Sequence, residues 1–265
     1  FVIPEDAQNY SDLKHMTSLE KLTIQNGVSG QLDFLSVMPN MKELTITGTT
    51  ISSDELSIIG SLTSMQKLTL KNCGISTTSP LKNLSAVTYI DLSENTIRDI
   101  SALSNMSALQ EIYLSHNALS EVSALKECKM LRILDISHNE VPTLFPLLGL
   151  IDLTWLDASN NHINDLNGIY QLSKLEYLHV NYNQLTDISP VVQCTALVDF
   201  GCSNNKLTDI SSIGKMNDLM YFDFSYNQVA KLPGFSKDSN LVTINGAHNK
   251  ITSLAPLSGL PMLNN

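Results

Sequence analysis

Hydrophobic and polar residues alternate in short runs along this chain, and the runs end at a fixed spacing. One run places apolar side chains at Leu109, Ile112 and Leu114 and closes on Asn117. The same asparagine recurs every 22 residues, at Asn95, Asn117, Asn139, Asn161, Asn183, Asn205, Asn227 and Asn249. A fixed period of this length predicts a solenoid, in which each repeat packs only against its neighbours.

Each run reads L-x-x-L-x-L-x-x-N, which is the signature of the leucine-rich repeat. Extending the frame toward the amino terminus adds three copies: one ends at Cys73, an accepted alternative to the asparagine, and two degraded copies end at Thr49 and Gly27. Nine of the ten intervals are 22 residues, and the interval from Thr49 to Cys73 is 24. The sequence therefore predicts a leucine-rich-repeat solenoid of the α/β type with about eleven repeats. A curved parallel sheet should form the concave face, and short 3₁₀ or helical segments the convex face.

Alternation within a strand assigns each side chain to a side of the sheet. Ile112 and Leu114 should point inward, whereas Glu111 and Tyr113 should point outward. The asparagine should turn inward, where its amide can pair with backbone groups that would otherwise be buried without partners.

The return half of each repeat has apolar residues at every third position, as at Ile97, Ile100 and Leu103. This spacing predicts one or two turns of 3₁₀ helix. A serine is predicted to cap five of these segments, at Ser79, Ser101, Ser123, Ser189 and Ser211.

Composition favours one elongated domain over residues 1–265. The chain is 43% hydrophobic but only 6% aromatic, and it has no run of 18 apolar residues that could span a membrane. Residues 1–18 read as a partial repeat and residues 256–265 as the start of a further one. We therefore expect the chain to be a fragment of a longer protein.

The four cysteines, Cys73, Cys128, Cys194 and Cys202, fall at core or ladder positions of the repeat. Free cysteine is often buried, so a structural role is expected for all four. Their spacing matches neither a zinc site nor a disulfide framework.

Function should be sought on outward strand positions, because these side chains are not needed for the core. Six of the eight tyrosines, the only tryptophan and four of the six histidines fall in three outward columns that hold 33 of the 265 residues. Ile133, Trp155 and Tyr177 are lateral neighbours, with Tyr182 close by, and form an apolar and aromatic patch typical of protein-binding hot spots. The alternative is that cross-strand aromatic pairs only stabilise the sheet. The predicted partner-binding residues are Tyr89, Asp91, Glu111, Tyr113, Ile133, Asp135, Trp155, Asp157, Tyr177, His179, Tyr182, Asp199, Tyr221, Asp223 and Tyr226.

Charge refines this prediction. The net charge is −10, and aspartates surround the aromatic patch, so a protein ligand with a basic surface is favoured over nucleic acid or anionic membranes. The alternative for each aspartate is a structural role in the repeat.

The residues disfavour three chemical alternatives. Asp135 and Asp157 lie side by side and could bind Ca²⁺, but calcium sites use six to eight oxygens from a compact loop. His116 and His138 could share a metal ion, but no third ligand is evident. Ser137 with His138 and Asp135 could form a hydrolytic group, but serine fills this column in most repeats. We predict no cofactor, no metal and no catalysis.

The unit N-x-L-T-D-I-S, at residues 183–189 and 205–211, resembles the 22-residue repeat of the internalin family of Gram-positive bacterial surface proteins. The resemblance implies that the concave face binds a host-cell or other extracellular protein through exposed aromatic and charged residues. It transfers this role to Tyr89, Tyr113, Trp155, Tyr177, Tyr182, Tyr221 and Tyr226.

We therefore expect a monomeric, non-enzymatic protein-binding module, the ligand-recognition domain of an adhesin on the bacterial surface or secreted from the cell. The alternative is a cytoplasmic leucine-rich-repeat scaffold or a phosphatase-regulatory-type subunit, because a eukaryotic subunit of that kind has a similar period.

Overall fold

The computed structural model describes residues 1–4 and 6–264. The chain divides into two compact units. Unit 1 comprises Phe1–Leu119 with Ser123–Leu131, and unit 2 comprises Ser120–Val122 with Arg132–Asn265. The single domain over residues 1–265 stays a prediction.

Unit 1 contains a parallel sheet whose strands are adjacent in chain order. Its strands are β1 (Lys21–Gln25), β2 (Glu43–Thr47), β3 (Lys67–Lys71), β4 (Tyr89–Asp91) and β5 (Glu111–Tyr113). Val2, which lies outside the named strands, forms one parallel bridge with Thr23 of β1. The register places equivalent repeat positions side by side, as with Lys67 and Tyr89.

Unit 2 has the same organisation. Its strands are β6 (Ile133–Asp135), β7 (Trp155–Asp157), β8 (Tyr177–His179), β9 (Asp199–Gly201), β10 (Tyr221–Asp223) and β11 (Thr243–Asn245). All are parallel, and the first residues of the strands lie in one row across the sheet.

The inward and outward assignments made from the sequence are confirmed. The middle residues of the short strands, such as Ile112, Leu156 and Phe200, have no solvent-exposed surface. Their neighbours on either side, Glu111 and Tyr113 in β5, are partly exposed. Burying one such apolar side chain stabilises a fold by roughly 1.5–3 kcal/mol, so the column of buried residues holds each unit together.

The asparagine ladder is also confirmed. Asn161 donates its amide hydrogens to Ile136 O at 2.9 Å and Ala158 O at 3.1 Å, and it accepts from Val141 N at 2.9 Å. Each asparagine of this kind therefore pairs backbone groups of its own repeat and of the repeat before it. In the degraded copies, the Thr49 hydroxyl accepts from Gly27 N at 2.8 Å.

Nine of the predicted 3₁₀ segments are present in the part of the chain that the structure describes, whereas the return halves after Asn161 and Asn227 form turns and irregular backbone. The nine segments are Ser11–His15, Asp33–Val37, Ser79–Leu81, Ser101–Asn105, Ser123–Glu127, Phe145–Leu147, Ser189–Gln193, Ser211–Lys215 and Ala255–Leu257. The 24-residue interval accommodates an α-helix instead, α1 (Ser53–Gly60), which begins with a capping box between Ser52 and Glu55. The Glu55 carboxylate is buried and also accepts from Leu32 N at 3.0 Å, in the preceding repeat.

The predicted serine caps are wrong. Ser101 is the first residue of its 3₁₀ segment, and its backbone N–H donates to Asp99 Oδ1 at 2.8 Å. The same contact joins Ser211 to Asp209. In these two segments the aspartate two residues earlier is therefore the capping group, because its carboxylate reaches the first free N–H and the serine hydroxyl at the segment start does not.

The four cysteines are free and fully buried, as expected from their positions. Burial raises the pKa of the Cys73 and Cys128 thiols to about 11 and that of Cys194 to about 12. None of the helices in the described residues has the length and apolar character needed to cross a membrane.

Candidate functional site

Outward side chains of the strands form, in each unit, a surface that we call the strand face. Two groups of residues on this face, one in each unit, combine aromatic rings with carboxylates. The tyrosine pair, Tyr89 and Tyr113, lies in unit 1, and the carboxylates of Glu111 and Asp91 are its register partners. The tryptophan cluster, in unit 2, consists of Ile133, Asp135, Trp155, Asp157, Tyr177, His179 and Asp199.

The rings of the tyrosine pair contact each other across β4 and β5. Their centroids lie 5.5 Å apart and their planes are tilted by 44°. Burial, followed by the charge of Asp91, raises the pKa of the Tyr89 phenol above its usual value. Basic side chains lie close by: Lys71 Nζ is 3.1 Å from Glu94 Oε1, and this hydrogen bond raises the pKa of the Lys71 ammonium group.

The tryptophan cluster is built on β7 and β8. The parallel register places Trp155 beside Tyr177 and Asp157 beside His179. The rings of Trp155 and Tyr177 stack with centroids 4.9 Å apart and an angle of 7°. The Tyr177 and His179 rings also pack together, with centroids 4.0 Å apart.

A hydrogen-bonded chain holds these rings in place. The Tyr177 hydroxyl lies 2.5 Å from His179 Nδ1, and His179 Nε2 lies 3.1 Å from Asp199 Oδ1. A carboxylate only accepts, so Nε2 carries the hydrogen toward Asp199, and in the neutral imidazole Nδ1 accepts the phenolic hydrogen. Three side chains from β8 and β9 therefore orient one another.

The hydrogen-bonded series Tyr177–His179–Asp199 has the order of a catalytic relay, but the pKa of its phenol is raised and not lowered. Burial raises the pKa of the Tyr177 phenol to about 12, and the carboxylates of Asp157, Asp199 and Asp135 add to the effect. The raised pKa keeps the Tyr177 phenol protonated at neutral pH, so its hydroxyl donates to His179 Nδ1 and the hydrogen bond holds the ring in position.

The aspartates that stand four residues before a ladder asparagine have a structural role as well. Asp91, Asp135, Asp157 and Asp223 each accept the backbone N–H two residues later at 2.9 Å. The hydroxyl groups of Ser93 and Ser137 donate a second hydrogen bond to their aspartates, at 2.6 and 2.7 Å. The structural alternative considered for these aspartates therefore has a geometric basis.

Asp157 receives less internal support than Asp91 and Asp135. The Ser159 hydroxyl is buried, with 7% exposure for the residue, and has no hydrogen-bond partner among the described residues. Asp157 is therefore left with more acceptor capacity than the equivalent carboxylates of β4 and β6.

The regular pattern of aspartate and serine breaks at β8 and β9. His179 replaces the aspartate, Asn181 replaces the serine, and Gly201 replaces the next aspartate. Asn181 Oδ1 takes over the missing role by accepting from Ser203 N at 2.8 Å. A Cβ atom on Gly201 would lie only 2.9 Å from His179 Cδ2, so glycine leaves the space through which His179 reaches Asp199.

The remaining predicted residues lie on β10 and at the strand ends. Tyr221, which is 43% exposed, pairs in register with Asp199, and Asp223 pairs with Gly201. Tyr182 and Tyr226 are 56% and 52% exposed and both have a φ of +54°. Positive φ is uncommon outside glycine, and for a bulky side chain it indicates a constrained position.

Sequence reasoning missed His248, whose ring stacks on Tyr226 with centroids 4.0 Å apart and an angle of 17°. It also missed the left-handed backbone shared by the residues that immediately precede each ladder position, such as Tyr182 before Asn183. The signal was present, because asparagine and glycine, which tolerate this conformation, fill many of these positions, as at Asn26, Gly48 and Asn72.

The described residues contain no group of three or more histidine, cysteine, aspartate or glutamate side chains arranged to hold a metal ion. The two aspartates weighed as a calcium site use their carboxylates to accept backbone hydrogen bonds from Ser137 and Ser159. His138 Nε2 lies 3.3 Å from Asn160 Nδ2.

Comparison with protein families finds leucine-rich repeats in both units. A leucine-rich-repeat model matches residues 63–119, and a model of two leucine-rich-repeat copies matches residues 151–193. No curated protein sequence matches the chain.

Several solved structures share the fold. Internalin InlF from Listeria monocytogenes is 28% identical with a TM-score of 0.90, and the match covers 95% of this chain and 74% of that one. A leucine-rich-repeat protein from Leptospira interrogans is 21% identical with a TM-score of 0.86, covering 99% and 68%. The ectodomain of the plant receptor kinase GASSHO1/SCHENGEN3 from Arabidopsis thaliana, solved in complex with Casparian strip integrity factor 2, is 23% identical with a TM-score of 0.77, covering 97% and 32%.

These matches confirm two predictions made from the sequence. The fold is a leucine-rich-repeat solenoid with about eleven repeats, and the repeats are internalin-like.

Proposed function

We propose that this chain is a non-enzymatic protein-binding module and that its ligand binds the strand face at the tryptophan cluster. The observation that carries the proposal is the stack of Trp155 on Tyr177, which the hydrogen bonds through His179 to Asp199 hold in one arrangement. Both rings are partly exposed, although neither is needed to fill the core.

Pre-ordered aromatic rings are effective binding groups for a physical reason. Association costs free energy because side chains at the interface lose rotational freedom. Rings that are already fixed by stacking and hydrogen bonds lose less, and large aromatic residues dominate the measured hot spots of protein interfaces. The tryptophan cluster combines both properties.

The comparisons support the finer parts of the proposal. The likeness to internalin InlF favours a bacterial surface or secreted protein that binds a host or other extracellular protein. The plant receptor ectodomain, solved with a second molecule bound, is an example of ligand binding by the same fold.

The net charge of −10 favours a protein ligand with a basic surface over nucleic acid. We expect the module to act as a monomer.

The test has two steps. The intact chain is first used to capture its ligand from extracellular host proteins, and the affinity of the purified pair is then measured. Trp155→Ala combined with Tyr177→Ala should weaken binding by about 2 kcal/mol or more, roughly 30-fold. The matched control is Tyr89→Ala with Tyr113→Ala, which removes the other aromatic pair and should weaken binding less than about tenfold.

Thermal melting must accompany these measurements, because loss of an aromatic pair also removes about 0.5–1.5 kcal/mol of stability. A folded Trp155/Tyr177 double variant that binds the ligand as tightly as the wild type would exclude the tryptophan cluster as the binding site.

A further inference from the structure

Stacking leaves one face of the Trp155 indole uncovered by Tyr177. The nearly parallel rings, 4.9 Å apart, place Tyr177 against the indole face that looks toward β8. The opposite face therefore looks toward β6, where Ile133 is the register partner of Trp155. Ile133 is shorter than the indole, so the outer part of that face is open to a ligand.

Two carboxylates lie beside this face. Asp157 is two residues from Trp155 on the same side of β7, and Asp135 is the register partner of Asp157 on β6. Among the described residues, Asp157 accepts one hydrogen bond, from Ser159 N, and the Ser159 hydroxyl has no partner. Asp135 accepts from both the backbone and the hydroxyl of Ser137.

No lysine or arginine within residues 1–4 and 6–264 forms an ion pair with Asp135 or Asp157. Asp199, the third carboxylate of the cluster, is already engaged by His179. The negative charge next to the open indole face is therefore left for a ligand to balance.

We propose that this site binds an arginine side chain of the protein ligand, with the guanidinium group stacked on the open face of Trp155 and donating to Asp157 and Asp135. The inference rests on the proposed function and names the chemistry that the partner must present. A guanidinium is planar and weakly hydrated, so it stacks on an aromatic face and donates to carboxylates at the same time. A lysine ammonium is a compact, strongly hydrated charge that gains less from a flat ring.

The chain contains its own reporter for this site. Trp155 is the only tryptophan, so emission excited at the red edge of the absorption band, where the eight tyrosines absorb little, reports on the proposed site. The 265-residue chain is titrated with N-acetyl-arginine amide and separately with the lysine and citrulline analogues. We expect a saturable change in emission with the arginine probe, binding at least fivefold weaker with the lysine probe, and no change with neutral citrulline.

Two variants test the carboxylates. Asp157→Asn should weaken binding of the arginine probe at least fivefold, and Asp135→Asn should weaken it less, because Asp135 is more fully engaged by Ser137. The control is Asp209→Asn, which removes the same charge from an exposed residue of a return segment and should leave binding unchanged. An asparagine at position 209 can still accept from Ser211 N, and thermal melting checks that each variant is folded.

Several outcomes would overturn the inference. The citrulline probe could bind as well as the arginine probe, or Asp209→Asn could weaken binding as much as Asp157→Asn, which would indicate diffuse charge. A change in Trp155 emission with a disaccharide such as maltose, without one for arginine, would identify a sugar site instead.

The result is separable from the proposed function. If the arginine probe has no effect but the Trp155/Tyr177 double variant still loses the protein ligand, the arginine site is wrong and the proposed function stands. If the probe binds as expected and the double variant keeps the ligand, the proposed function is wrong at this surface.

Discussion

The tyrosine pair and the tryptophan cluster occupy the same repeat positions, yet they differ in how their charges are balanced. Near the tyrosine pair, basic side chains belong to the chain itself, and Lys71 pairs with Glu94. In the tryptophan cluster, Asp135 and Asp157 are adjacent carboxylates with no lysine or arginine partner among the described residues.

The two groups also differ in how their rings are arranged. The tyrosines are tilted by 44°, whereas Trp155 and Tyr177 are stacked within 7° and fixed by hydrogen bonds through His179. A shared scaffold position therefore does not identify a binding site by itself. The informative residues are those whose charge or ring face is not satisfied within the molecule.

The largest expected effect is on the free energy of unfolding and comes from the asparagine ladder, which lies beneath both groups. Asn161→Ala and Asn95→Ala should each reduce the free energy of unfolding by about 1–3 kcal/mol, because each leaves buried backbone groups unpaired. Asn95 bonds Leu70 O at 2.8 Å and Ile75 N at 3.0 Å, so the ladder under β4 is equivalent to that under β7. Urea denaturation measures both, with the exposed Asn217→Ala as a control that should change little. Wild-type stability in either ladder variant would contradict an equivalent ladder.

The next effect separates the two groups. Gly201→Ala should displace His179 and Asn181, because the added Cβ would lie 2.9 Å from each side chain. We expect a loss of about 1 kcal/mol in stability and altered Trp155 fluorescence, because the ring that packs on Tyr177 must move. Gly234→Ala, where the Cβ meets no atom within 4 Å, is the control. Unchanged fluorescence in a folded Gly201→Ala variant would show that His179 does not hold the cluster.

Alkaline pH gives a third comparison. The folded state holds the Tyr177 proton up to a pKa of about 12, above the ordinary value of 10, so the unfolded state binds fewer protons in between. The contribution of Tyr177 to stability should therefore be intact below pH 10 and be lost as the pH rises from 10 toward 12. Tyr177→Phe should reduce this loss more than Tyr89→Phe, because the hydrogen bond with Thr69 and, to a smaller extent, the charge of Lys71 counteract the rise in the Tyr89 pKa. Denaturation at pH 9 and pH 11 would measure it, and equal slopes for Tyr177→Phe and wild type would contradict it.

The smallest effect is expected at the charged residues of the first repeats. Lys71→Met removes an exposed ion pair and should change stability by at most about 0.5–1 kcal/mol, and less at high salt. Denaturation at low and high salt would check this. A loss well above that range would mean that Lys71 is part of the fold and not only of the surface charge.

Much of the fold followed from one period. Counting from each asparagine located the strands, their inward and outward sides and the 3₁₀ segments, because a solenoid repeats one local solution. The capping group was wrong because serine and aspartate both occur at the start of these segments, and only geometry shows that Asp99 reaches the N–H of Ser101. Two extra residues after Thr49 indicated an irregular repeat but did not reveal that it contains α1.

The candidate site was less predictable. Strand register alone placed Trp155 beside Tyr177, so the aromatic patch was available from the sequence. The contact from His179 to Asp199 was not, because it depends on the absence of a side chain at Gly201, in the neighbouring strand. The unequal support of Asp135 and Asp157 depends on the orientation of a single hydroxyl group, which a repeat pattern does not encode.

The asparagine ladder has a direction, and this affects how unit 2 should come apart. Asn183 pairs with Ile163 N and Ala158 O, so a repeat relies on its successor to satisfy its own backbone. Fraying from the carboxyl-terminal side removes those partners from the preceding repeat, whereas fraying from the amino-terminal side only returns an asparagine amide to water. Amide hydrogen exchange should therefore spread from the last repeats of unit 2 toward the first.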